Sequence, residues 1–260
     1  MIGGFMIGAR IAINSLPETR TVVTLLVRLA AVPLLTALFY VMLATGGTTA
    51  LTPADALAAS LAVGAIQATV ATCSLLATDR FEGTSTFHLT APRPPIMLSA
   101  GRLSVPTIIG FVTGSITSVS LLLVSAASVS PSGWALALLT VATAVLGSVG
   151  LGYFLAALSL SLRDSLVTAN LAGYFLPLVC GVVAPLTLFP AWAQIPLGIL
   201  PLSHGTTAAR EFMTSGTTSS AWFSLTLCML TGIGWAVVGA VVWRLQQRRA
   251  LRIGTAEFLQ

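Results

Sequence analysis

The chain has 260 residues, 56% hydrophobic and 7% charged, with a formal net charge of +5. Soluble domains carry about 25% charged residues, so this composition excludes a water-soluble globule and points to an all-α polytopic membrane protein. The apolar runs are long and unalternating, which fits helices that satisfy their own backbone groups in lipid and excludes a barrel.

Residues 1–20, with Pro17 ahead of Glu18 and Arg20, are expected to form a short interfacial helix on the membrane surface. Arg10 and Arg20 come after the first apolar patch, so the segment is expected to be retained and not cleaved as a signal peptide. Six spans follow within a single membrane domain covering residues 1–260: about 21–44, 54–78, 103–127, 134–160, 166–188 and 220–243. Between the second and third lies DRFEGTSTFHLTAPRPPIMLSAGR, residues 79–102, which holds five of the nineteen charged residues and one of the two histidines. Such a segment cannot lie in lipid and must occupy one membrane face.

In the third span Gly110 and Gly114 form a GxxxG pair, and Thr113, Thr117 and Ser120 share a helical face. Close helix packing and a polar strip lining a conduit are the two readings of that face. The stretch 189–218 carries Pro190, Trp192, Gln194, Pro196, Pro201, His204, Arg210 and Glu211. It is too broken for a span and too apolar for a free loop, and reads as a re-entrant or interfacial hairpin on the outer face.

Ten of the twelve arginines flank spans on the face shared by the termini, Arg210 lies on the other, and Arg28 lies within the first span. By the positive-inside rule both termini are expected to be cytoplasmic. Arg28 is near enough to a helix end to snorkel. Tyr40, Trp134 and Trp222 fall at outer ends and Trp243 at an inner end, as interfacial aromatic belts require.

Several chemistries are missing. There is no lysine, so a phosphate loop of the GxxxxGK[ST] type is absent. His88 and His204 are expected on opposite faces and no GxSxG occurs, which disfavours a membrane hydrolase. All seven carboxylates lie at or beyond span ends, which disfavours an ion-coupled pump. Cys73, Cys180 and Cys228 lie in apolar runs without metal-ligand spacing, so no metal site is expected. What remains is a permease driven by a separate ATPase, or a scaffold or channel without one.

Two segments carry a resemblance. Asp79-Arg80-Phe81-Glu82-Gly83-Thr84, then Leu89, Ala91-Pro92, Pro95 and Gly101-Arg102, is similar to the signature between spans two and three of type-2 ATP-binding-cassette (ABC) permeases. The usual second acidic position is Phe81 here, with Glu82 beside it. Residues 185–210, with Pro190, Trp192, Pro201 and Arg210, resemble the family's outer hairpin, in which His204 also falls.

The resemblance implies the permease subunit of an exporter similar to daunorubicin and other antibiotic exporters. It would move a hydrophobic or amphiphilic drug, antibiotic or lipid-like compound out of the cell across the cell membrane. A polysaccharide, glycolipid or haem exporter is the alternative. The implied partners are two ABC ATPase subunits, which would hold ATP and Mg, and a second permease chain, identical or homologous. No cofactor on this chain, no catalysis by it and no nucleic-acid partner are implied. The resemblance makes the segment after span two a cytoplasmic coupling helix, with Asp79, Arg80, Glu82, Gly83, Thr84, Leu89, Pro92 and Arg93 touching the ATPase. It also lines the substrate path with spans two and five, which places Gln67, Thr69, Thr72, Asn170, Tyr174 and Phe175 nearby.

Overall fold

The structure, a computed structural model, describes residues 2–15, 21–47, 51–81, 96–125, 129–162, 164 and 166–253. Among them the regular structure is helical, without a strand. Helix α1 (Ile2–Ser15) precedes a first rod made of α2 (Val22–Leu26), a π-helical turn (Val27–Ala31) and α3 (Val32–Ala44). Then come α4 (Pro53–Phe81), α5 (Ile96–Val124) and α6 (Pro131–Ser159), each 29 residues and so about 44 Å long. The chain continues through α7 (Val167–Val179), a 3-10 turn (Leu186–Leu188), α8 (Ala191–Leu197), α9 (Pro201–Ser215) and α10 (Ser219–Ile253).

Five stretches are long and apolar enough to cross a bilayer: Val22–Ala44, Pro53–Thr78, Leu98–Val124, Pro131–Ser159 and Ser219–Arg249. They coincide with the first, second, third, fourth and sixth expected spans. Helix α5 starts at Ile96, earlier than residue 103, so Gly101 and Arg102 are helical.

The expected fifth span, 166–188, is not one helix. Its helical part, α7, has 13 residues, about 20 Å, short of a hydrocarbon core of about 30 Å. Pro177 sits inside its last turns, where it removes a hydrogen-bond donor, and Gly181 at φ +74 turns the chain out of the helix. Apolar length is present in the sequence, but these two residues end the helix before it is used.

Side-chain hydroxyls start several helices. Thr21 accepts from the Thr24 amide at 3.2 Å, and Ser130 from the Gly133 amide at 3.1 Å ahead of Pro131. Thr52 accepts from the Asp55 amide at 3.1 Å while its hydroxyl donates to the Asp55 carboxylate at 2.6 Å. That exchange caps α4 and fixes the Asp55 side chain.

Helix α4 is the hub: 89% of its most apolar stretch is buried, against 11% for the first rod. It packs on α3, α5, α6, α7 and α9, and α6 in turn packs on α10. Lipid is as apolar as leucine, so such contacts depend on close van der Waals approach between small residues. Gly64 of α4 meets Gly110 and Gly114 of α5 so closely that a Cβ on Gly64 would lie 2.5 Å from the Gly110 carbonyl oxygen. Thr113 and Thr117 are fully buried beside them, so the glycine face of the third span is a packing face.

Helix α1 is docked by the same means. A Cβ on Gly8 would lie 2.2 Å from the Leu98 carbonyl oxygen, and one on Gly101 would lie 2.1 Å from that of Phe5. Ala12 of α1 is buried with Leu75 and Val105 of α4 and α5. Arg102 is buried beneath this junction and donates to the Leu75 carbonyl at 3.5 Å.

Candidate transport groove and outer hairpin

Between α3, α4 and α7 lies an open groove of about 470 Å³. From α4 it takes Val63, Ile66, Gln67 and Val70, spaced i, i+3, i+4 and i+7, one helical face. From α7 come Asn170 and Tyr174, again i and i+4, with Pro177 and Leu178 above them. The first rod contributes Val32, Thr36, Phe39, Tyr40 and Leu43. The wall is mostly apolar with a few neutral polar groups.

Three of the six residues expected along the path, Gln67, Asn170 and Tyr174, therefore meet in one place. Thr69 and Thr72 do not: both are fully buried against α6, where Thr69 donates to the Ser148 carbonyl at 3.0 Å and Gly152 leaves room for them. Phe175 points elsewhere and is 61% exposed. The contributions of Thr36 and Tyr40 escaped the sequence reading, although their i, i+4 spacing on one apolar helix was a usable signal.

The polar groups of the groove differ in how they are satisfied. Thr36 donates to the Val32 carbonyl of its own helix at 2.8 Å. The side chains of Gln67, Asn170 and Tyr174 have no hydrogen-bond partner among the described residues. An amide held against hydrocarbon without a partner costs about 1–3 kcal/mol. They reach the groove from two helices, Gln67 from α4 and Asn170 and Tyr174 from α7.

The segment between the fifth and sixth expected spans is helical. Pro190 precedes α8 and Pro201 opens α9, while Trp192 is 77% exposed. Gln194 donates to the Phe189 carbonyl at 2.7 Å, and the His204 ring nitrogen lies 2.7 Å from the Gly198 carbonyl. Trp235 of α10 donates to the Ile199 carbonyl at 2.9 Å, which ties the bend between α8 and α9 to the last helix.

Arg210 is the main fastening. It donates to the Gly181 carbonyl and, at 2.9 Å, to the Val182 carbonyl, where the chain leaves α7. It also lies 3.6 Å from Asp55 at the start of α4. Thr206 adds a bond to the Cys180 carbonyl at 2.8 Å. The hairpin therefore closes over the broken end of α7 and is bolted to α4.

Of the expected coupling residues, Asp79 and Arg80 lie in the last turn of α4. Glu82, Gly83, Thr84, Leu89, Pro92 and Arg93 lie outside the described residues.

The family model of the ABC-2 type transporter matches residues 18–214, which takes in the first rod, the hub helix, the groove and the hairpin. The chain belongs to the ABC-2 type transporter family. No curated protein and no solved structure matches it. As an ABC-2 membrane domain it is the permease component of an ABC transporter, and membership implies ABC ATPase partners and a membrane setting.

Proposed function

We propose that this ABC-2 permease exports a hydrophobic or amphiphilic compound, a drug, antibiotic or lipid-like molecule, through the groove between α3, α4 and α7. ATP hydrolysis is supplied by two separate ATPase subunits. The carrying observation is the convergence of Gln67, Asn170 and Tyr174, unpartnered among the described residues, on a mostly apolar cavity. Apolar walls with few orienting polar groups suit such a ligand.

A second permease chain, identical or homologous, covers the open side of the groove. The apolar residues that line it and stay exposed, Phe39 and Leu178 among them, are consistent with that cover. Residues 79–93 act as the coupling segment, and α1, docked on α5 just beyond it, moves with it. The hairpin dips into the outer leaflet, and with α7 it completes a sixth crossing, which leaves both termini cytoplasmic.

Reconstitution with the ATPase subunits tests this reading by measuring ATPase stimulation and vesicle transport over a chemically varied panel. Gln67→Leu with Asn170→Leu is expected to raise the half-maximal stimulating concentration by about tenfold, the scale of one or two lost hydrogen bonds. An unchanged value for every stimulating compound would remove the groove from the path. Gly83→Pro is expected to abolish transport while ATP is still hydrolysed, and transport at the parental rate would remove the coupling assignment.

A further inference from the structure

Arg28 is a charge that the groove reading leaves unused. It lies within the crossing stretch Val22–Ala44, about 9 Å along the helix from Val22. It is exposed and has no ion-pair or hydrogen-bond partner among the described residues. Snorkelling toward a membrane face explains how the charge is tolerated. It does not explain the helix around it.

The turn Val27–Ala31 is π-helical, closed by the Val32 amide donating to the Val27 carbonyl. Above it, Val32, Thr36, Phe39, Tyr40 and Leu43 define the face turned to the groove. With α-helical winding of about 100° per residue, Arg28 would lie about 65° to one side of that face. An i→i+5 turn advances less per residue and so rotates Arg28 toward that face. Arg28 thus stands four residues, about 6 Å along the rod, before Val32, the first residue of a groove whose own lining contains no charged side chain.

We propose that Arg28 is the head-group site of this groove. It binds the phosphate or carboxylate head of an anionic amphiphile, while Gln67 and Asn170 hydrogen-bond further along and the apolar body lies against Phe39, Leu43 and Leu178. The guanidinium fork matches either anion through paired hydrogen bonds, which an ammonium reproduces less well. This rests on the groove being the substrate path and narrows its ligand class to amphiphiles with one anionic end.

The test uses the full chain in nanodiscs of neutral phosphatidylcholine, titrated with radiolabelled dodecyl phosphate or dodecanol. Dodecyl phosphate is expected to bind more tightly than dodecanol, and Arg28→Gln to weaken dodecyl phosphate by about five- to tenfold with little effect on dodecanol. Arg28→Lys is expected to retain part of the preference. Equal binding of dodecyl phosphate to the parent and Arg28→Gln overturns the head-group site while leaving the groove intact. If Gln67→Leu with Asn170→Leu also leaves both ligands unaffected, the groove reading itself fails. Inorganic phosphate competing as well as dodecyl phosphate overturns recognition of an amphiphile. Displacement of the probe by phosphatidylglycerol added to the nanodisc assigns the site to a membrane lipid; resistance assigns it to a separate cargo, and both keep the anion site.

Discussion

Arg210 shows how one side chain organises the outer end. It satisfies two carbonyls left open where α7 stops and faces Asp55 across to α4. Both side chains are partly exposed, 19% and 26%, so the ion pair is screened and the carbonyl bonds carry more of the effect. Arg210→Ala is expected to cost about 1–3 kcal/mol, read as a lower unfolding midpoint in nanodiscs. Asp55→Asn keeps the carbonyl bonds and is expected to cost less than half as much; equal losses would assign the effect to the pair. Arg210 was recognisable in the sequence as the lone basic residue of an apolar outer segment. Asp55 was read only as a carboxylate at a span end, because its partner lies 155 positions away (210 − 55) and nothing local announces it.

Between helices the deciding contacts are glycine to backbone. Gly232 of α10 crosses Gly147 of α6 so closely that a Cβ would lie 2.3 Å from the Gly147 Cα, whereas Gly234, on the same helix, has nothing within 4 Å. Gly232→Ala must push two backbones apart and is expected to cost about 3 kcal/mol or more. Gly234→Ala is expected to be neutral or to stabilise by up to about 1 kcal/mol, since glycine is a poor helix former. Unfolding both variants by graded sodium dodecyl sulfate checks the contrast, and similar curves would contradict the crossing. The GxxxG spacing at Gly110 and Gly114 was legible beforehand. Its counterpart Gly64 and the Gly147–Gly232 pair were not, because a single glycine in a helix looks the same whether it faces a backbone or lipid.

For the whole molecule, an even number of crossings depends on how residues 166–218 cross, since α7 is too short to span by itself. Cysteines introduced as Ser15→Cys and Gln260→Cys, on a chain whose native cysteines are all buried, report the outcome through a membrane-impermeant maleimide. Both are expected to be protected in intact cells and labelled in inverted vesicles; opposite labelling would mean that the broken segment does not complete a crossing. Class and most span positions were legible from local sequence, because the cost of placing polar groups in hydrocarbon acts on each segment separately, and so was the family. Which face of each helix is buried was not legible, since nearly every face is apolar and hydropathy carries little periodic signal. Tertiary packing decided that Thr69 and Thr72 join helices, that Gln67, Asn170 and Tyr174 share a groove, and that a hairpin held by Arg210 closes over the end of the fifth helix. Those outcomes depend on close approach between segments distant in the chain, which hydropathy does not encode.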